Sequence, residues 1–176
     1  MVLFMTPGLA FFYGGLVRAS SVVSMMMMSF GSLALIGVMW VVFGYAMSFG
    51  AAGSGNFIGV DGVFGIDLNK IFLADVIAQA KDGDGFGLAF AGFQGTFAII
   101  TVALISGAIA DRAKFGAWMV FAGVWATLVY FPVANWVFNF TLADGKVVDG
   151  GWIVYGLGVI DFAGGTAVHI NAGAAG

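Results

Sequence analysis

Residues 85–110 read GFGLAFAGFQGTFAIITVALISGAIA, a run without a single charge between Asp84 and Asp111. A bilayer core about 30 Å thick is crossed by roughly 20 helical residues, each rising about 1.5 Å. This run is long enough to span a membrane as one helix. It is too long for a barrel strand of about 9–11 residues, and it does not alternate. Two more runs match it: VVSMMMMSFGSLALIGVMWVVFGYAMSF (22–49), inside the uncharged interval from Arg18 to Asp61, and FGAWMVFAGVWATLVYFPVANWVFNFTLA (115–143). Composition agrees. The chain is 61% hydrophobic and 9% charged, with mean hydropathy +1.06, whereas a soluble domain carries roughly a quarter charged residues. Its charges are six Lys/Arg and nine Asp, with no Glu. A water-facing surface cannot be assembled from so few, so the lipid bilayer is the solvent this chain is built for.

The two ends differ from the middle. Residues 1–17, MVLFMTPGLAFFYGGLV, are apolar but short, and the last apolar segment stops at Gly176 after only a few turns. A secretory signal would place its positive charge before the apolar core, and here Arg18 follows it. Both ends read as spans cut short. The expectation is an all-α polytopic membrane protein with truncated spans at 1–17 and 155–176 and complete spans at 21–49, 86–110 and 115–140.

Orientation follows from the cations. Arg18 lies in one short loop and Arg112 with Lys114 in another; an excess of Lys and Arg in short loops marks the cytoplasmic side. The N-terminus is then expected outside the cell membrane, together with the Gly-rich segment 51–85, which holds Lys70, Lys81 and five aspartates. That outer loop is expected to contain one short surface helix, LADVIAQA (73–80), closed by the turn-forming KDGDG (81–85).

Several chemistries are excluded. The sequence has no HExxH, no phosphate-binding glycine loop followed by Lys, and no pair of carboxylates on a buried helix face. GLGVIDFAGG (156–165) contains glycines, but no strand precedes it, so a dinucleotide site is not expected. Met25–Met28 are four consecutive residues and point in four directions about 100° apart on a helix, which suits packing rather than metal binding. The sequon Asn139-Phe140-Thr141 lies too close to the membrane surface for glycosylation. Without cysteine there are no disulfides or thiolate metal sites, and nothing basic enough to bind nucleic acid is present. No catalytic residues, cofactor or metal are expected: the protein does not read as an enzyme.

What remains is polarity in apolar surroundings. Twenty-nine glycines let membrane helices approach closely, which places the last helix inside a bundle. Within DFAGGTAVHINAGAAG (161–176) stand Asp161 and His169, the sole histidine. Asp161 opens the helix, where a carboxylate accepts backbone N–H bonds and favours the positive dipole end. His169, eight residues on and roughly 12 Å deeper, has no such explanation. A neutral imidazole gives one hydrogen bond and accepts another, which suits the lining of a narrow path. In the run quoted first, Phe93 and Phe97 are i,i+4 on one face, continued by Ile100, Thr101 and Leu104. Stacked rings can be packing; they can also bind a cation through their negative faces.

Three stretches, LFMTPGLAFFYGGLVR, GFQGTFAIITVALISGAIADRAKF and DFAGGTAVHINAGAAG, resemble in order and spacing the ammonium transporter family (Amt/Mep, related to the Rh proteins). The resemblance reaches from the first residues to the last. It implies an eleven-helix inverted repeat with an outer N-terminus, assembled as homotrimers with one pore per subunit. This chain then corresponds to the first five-helix half, with helices one and five truncated and Met1 an internal methionine; an isolated half leaves its pore-lining face without a partner. Matched residue by residue, His169 is the first of the family's twin pore histidines. Phe97 matches the phenylalanine of the outer ammonium site, Phe93 its neighbour in the aromatic gate, and Asp161 the acidic residue that structures the site and favours the cation. Phe12, Tyr13 and Leu104 fall where the pore is narrow and apolar. One position departs: six residues after the proline of PVANWVF the family commonly has tryptophan, and here stands Phe138, with Trp136 two residues earlier.

The function this resemblance implies is ammonium/ammonia transport. Ammonium would be collected at an outer site of Phe93, Phe97 and Phe138 with Asp161 nearby, lose a proton, and pass as ammonia along His169. Potassium, nearly the same size but unable to shed its charge, would be rejected by the apolar constriction. Methylammonium is a further candidate substrate, and a PII-type cytoplasmic protein a candidate regulator. An ammonium sensor of the same fold is the main alternative. A haem- or quinone-binding electron carrier fits less well, because bundle haem sites usually need a second axial ligand and the chain has one histidine.

Overall fold

The computed structural model describes residues 1–50, 55–60 and 62–176. Asp61 and residues 51–54 of the expected outer loop lie outside the described residues. Helices α1 (Val2–Leu16), α2 (Ala19–Ser48), α4 (Phe86–Ile109) and α5 (Phe115–Phe138) are apolar. A short helix, α3 (Ala74–Lys81), precedes α4, and α6 covers 165–175. Two antiparallel hairpins, β1 (Phe57–Val60) with β2 (Phe64–Asp67) and β3 (Phe140–Ala143) with β4 (Lys146–Gly150), complete the chain. Among the described residues three helices, α2, α4 and α5, are long and apolar enough to cross a membrane.

Helix ends sit next to the charges that bound the runs. Arg18 precedes α2, Asp84 stands just before α4 and Asp111 just after it, and Lys114 immediately precedes α5. A charge in hydrocarbon is costly, so it settles where the helix can end in a polar layer. The molecule thus has a basic end, with Arg18, Arg112 and Lys114, and a hairpin end, with both hairpins and α3.

The core is helix on helix. Trp40 and Trp118 are buried; their indole N–H groups donate to Ala91 O at 2.9 Å and Met28 O at 3.0 Å, tying α2 to α4 and α5 to α2. Small residues allow the approach: a Cβ at Gly44 would sit 2.6 Å from the Phe131 ring, and one at Gly95 2.8 Å from Trp40. This is the close packing that small residues permit where no hydrophobic force drives helices together. Met25 and Met28 are buried and Met27 is exposed, as a packing role for the methionine run requires. α5 passes through a π-helical turn at Ala126–Tyr130, just before Pro132. Proline lacks the N–H that Leu128 O would accept, which loosens the turn before it.

Two boundaries differ from the sequence expectation. The span expected at 115–140 ends two residues earlier, at Phe138: Asn139 turns to φ −88°, ψ 101° and the chain enters β3. The last span was expected from 155, yet α6 begins at Gly165. Residues 152–156 form one isolated π-helical turn, and Gly158 (φ +65°) and Gly164 (φ +78°) reverse the backbone before α6 starts. Left-handed φ values are open to glycine without penalty and interrupt a helix.

α6 runs alongside the second half of α4 in the same direction. A Cβ at Gly164 would lie 3.9 Å from the Phe97 ring, and one at Gly176 3.1 Å from Ala108.

Candidate functional site

The aromatic residues singled out in the sequence stand together. Phe93 and Phe97, one turn apart on α4, meet edge to face with centroids 4.9 Å apart and planes at 87°. Phe138, on the last turn of α5, brings its ring to 6.5 Å from Phe97, inclined by 40°. Phe93 is half exposed, and Phe97 and Phe138 are partly buried. The cluster therefore joins the first half of α4 to the last turn of α5 and offers ring surface outward. Hydroxyls hold its backbone: Thr96 Oγ1 donates to Phe93 O and Thr101 Oγ1 to Phe97 O, each at 2.6 Å.

Trp136, the only tryptophan near the departing position, is not part of this cluster. Its indole N–H donates to Val63 O at 2.9 Å and its ring packs on Trp152 at 5.7 Å, facing the β1–β2 hairpin. Phe138 is the ring that α5 contributes. An indole two positions away cannot take its place, because neighbours two apart on a helix point in different directions.

Asp161 sits at the start of α6, and its Oδ2 accepts from the backbone N–H of Thr166 (3.0 Å) and of Ala167 (2.9 Å). Two of the N–H groups left free at a helix start are thereby satisfied, and the negative charge meets the positive dipole end. Because the chain reverses at Gly164, this is done from four residues before α6 rather than from its first position. Oδ1 of the same carboxylate is buried and makes no hydrogen bond. Asp161 is also the one charged residue on the wall of a cavity of about 470 Å³ between the end of α5, β3–β4 and residues 154–161, shared with Phe138, Phe140 and Tyr155.

His169 lies five residues beyond Gly164, in the π-helical opening of α6 (Gly165–Ile170), about one turn into the helix. This is shallower than a helix starting at Asp161 implies. Its Nδ1 is 3.1 Å from Gly164 O. A carbonyl only accepts, so in the neutral ring this contact places the hydrogen on Nδ1 and the lone pair on Nε2. The ring is exposed on the surface of this chain. The backbone thus fixes the tautomer and directs one acceptor outward.

The remaining sequence-selected residues occupy α1 and α4. Tyr13 is half buried and donates its hydroxyl to Leu104 O at 3.0 Å, so it fastens α1 to α4. Phe12, 62% exposed, stands beside it with ring centroids 5.9 Å apart. Among the described residues no group of three or more His, Cys, Asp or Glu side chains comes together.

Sequence reasoning missed two polar features. One is a set of side chains around the end of α2: Asn135 Nδ2 donates to Ser48 O (3.1 Å) and Gly50 O (3.2 Å), Asn139 Nδ2 to Gly50 O (3.0 Å), and Lys70 Nζ to Phe49 O (2.6 Å). Two asparagines four apart in an apolar run were the available signal. Asn139, committed in this way, is not a free sequon acceptor. The other is a pair of buried hydroxyls behind the rings, Thr101 and Tyr130, both 0% exposed.

A bundle of apolar helices with buried polar caps and an aromatic cluster at one end defines a polytopic membrane protein. Comparison specifies which kind. The model of the Ammonium Transporter Family matches residues 1–176, and the chain belongs to that family, a family of transporters rather than enzymes. An ammonium transporter of Mycobacterium tuberculosis is 51% identical over 188 residues, covering 99% of this chain and 38% of the relative. One from Bacillus subtilis is 43% identical over 178 residues, covering 100% and 39%. Among solved structures, Saccharomyces cerevisiae Mep2 superposes with TM-score 0.75 at 33% identity, covering 98% of this chain and 35% of that one. Candida albicans Mep2 gives 0.74 at 34% identity, covering 98% and 34%. The chain therefore spans well under half the length of the relatives it matches.

Proposed function

We propose that the protein carries ammonium nitrogen across the cell membrane, collecting ammonium at Phe93, Phe97 and Phe138 and passing ammonia along His169. The observation that carries this reading is vertical order. Three rings cluster at one end, a capped helix starts beside Phe97, and one turn inside that helix stands an imidazole with a fixed tautomer. Ring faces attract a cation, by about 2 kcal/mol or more when desolvated. The apolar stretch beyond them penalises a bare charge, and only ammonium can discard its charge by losing a proton. Nε2 of His169 then offers an acceptor to a neutral molecule that has left water behind.

In this reading the hairpin end is extracellular and the basic end cytoplasmic, following the cation bias of short loops. The family resemblance adds a homotrimer, methylammonium as a second substrate and a PII-type regulator at the basic end. The test is flux through the complete gene product in liposomes, with electrical recordings in ammonium and then in potassium. Saturable ammonium-dependent flux with no potassium current is expected. A well-assembled protein that binds ammonium without flux would instead be a sensor.

A further inference from the structure

The cavity of about 470 Å³ between the end of α5, β3–β4 and residues 154–161 is far larger than one ammonium ion needs. A water-sized guest takes about 10–15 Å³ of such space, whereas sites for small organic molecules run from about 300 to 1,000 Å³. Its wall has two chemistries. Leu142 on β3 and Val147 on β4 are cross-strand partners and so share one face of the hairpin; with Val154 they form an aliphatic side. Phe138, Phe140 and Tyr155 add three rings, and Asp161 adds the one charge. Leu142 and Tyr155 are 58% and 54% exposed, so this wall is not packed shut. Of the two carboxylate oxygens, Oδ2 is committed to Thr166 and Ala167, and Oδ1 makes no hydrogen bond.

The combination selects a class of ligand. An anion is repelled, and a neutral molecule leaves the carboxylate without a counter-ion. A divalent metal gathers several oxygens, about six to eight for calcium, which one carboxylate among apolar side chains does not supply. An organic monocation suits every wall: its N–H groups donate to the carboxylate, ring faces attract its charge, and its tail covers the aliphatic side. We propose that this cavity is a second cation site, which binds alkylammonium ions with tails longer than methyl, the head at Asp161 and the tail against Leu142, Val147 and Val154. Phe138 belongs both to this cavity and to the ring cluster, so a bound amine competes with ammonium for a shared ring. Binding to the cavity is independent of the transport reading; the competition rests on it.

The test measures both. Methyl-, propyl- and hexylammonium are titrated calorimetrically into the complete gene product in detergent, with hexanol as the neutral comparator. Ammonium flux in liposomes is recorded with and without each amine. Every methylene that reaches the aliphatic side should tighten binding about three- to fourfold, so propylammonium should bind about tenfold more tightly than methylammonium. Hexanol should bind about tenfold or more weakly than hexylammonium, and Asp161→Asn should weaken every amine by a similar factor. Leu142→Thr with Val147→Thr should flatten the dependence on chain length, leaving ammonium flux without amine as in wild type. Affinity that does not grow with chain length overturns the inference, as does hexanol binding as tightly as hexylammonium. A full chain-length series in the threonine variant does the same. If Asp161→Asn does not assemble, the hexanol comparison decides the part of the charge. Flux undiminished at saturating hexylammonium overturns the competition for Phe138. Chain-length-dependent binding in a protein without ammonium flux supports the site and removes the transport reading instead.

Discussion

The end of α2 and the start of α6 are both helix termini set among apolar side chains, and the molecule treats them in opposite ways. At the end of α2, three carbonyls that the helix leaves free, those of Ser48, Phe49 and Gly50, all find donors, from Asn135, Lys70 and Asn139. At the start of α6, Asp161 satisfies two N–H groups with one oxygen and leaves the other oxygen buried without a partner. A structural terminus gains from complete satisfaction, because each unpartnered buried group costs about 1–3 kcal/mol. A terminus that serves a passing ion or molecule must keep polar capacity unspent. By this criterion the α2 end is a fastening, and the α6 start fits the proposed site.

The contrast is tested most severely at His169. Replacing it with alanine should reduce ammonium flux about tenfold or more, through loss of an imidazole from the proposed path, while expression and assembly stay near wild type. Flux from an assembled His169→Ala protein that matches wild type would return His169 to packing. The fastening should behave inversely. Asn135→Leu removes the Asn135 donor to Ser48 O, whereas Gly50 O keeps Asn139, so a loss of about 1–3 kcal/mol is expected. It should be seen as a lower thermal midpoint in detergent, with ammonium KM unchanged in the protein that survives; a shifted KM at normal stability would show that the two termini are not separate.

Lys70→Met is a milder version of the same break. The ammonium at a helix C-terminus contributes about 0.3–1 kcal/mol at a partly exposed position, so a small drop in midpoint is expected that shrinks in high salt. A salt-independent drop would assign the effect to the lysine stem rather than its charge. The smallest effect is expected at the rings. Phe138→Trp supplies the stronger π face and should lower apparent KM about two- to fivefold. A rise would mean that the larger indole does not fit beside Phe97, where the Phe138 centroid already stands at 6.5 Å.

Much of the architecture was legible because bilayer physics is blunt. Charged residues bracket the long uncharged runs, and the helical class with three membrane-length apolar helices follows from that alone. The short surface helix was also legible, as α3, because LADVIAQA ends in a Gly-Asp turn. The hairpins were not. Their strands are four or five residues long, glycine interrupts β1 and β2, and β1, β3 and β4 are mostly exposed, so neither length nor hydropathy marks them. The start of α6 was misplaced because the residues from 155 are as apolar as a span; what breaks them is backbone sign at Gly158 and Gly164, which hydropathy does not record.

The candidate site divides in the same way. Phe93 with Phe97 could be paired from helical spacing, and Asp161 could be read as a cap from its chemistry. That Phe138 rather than Trp136 completes the ring cluster and that Tyr13 spends its hydroxyl on Leu104 are contacts between helices, and the Gly164–His169 contact depends on the positive φ with which the chain enters α6. Sequence alone determined the solvent, the class of fold and the residue types available for a cation, because transfer free energy and helix period act on each segment separately. Tertiary structure alone decided which buried polar atoms are satisfied and which are left over, because a hydrogen bond between segments depends on where two backbones come to rest.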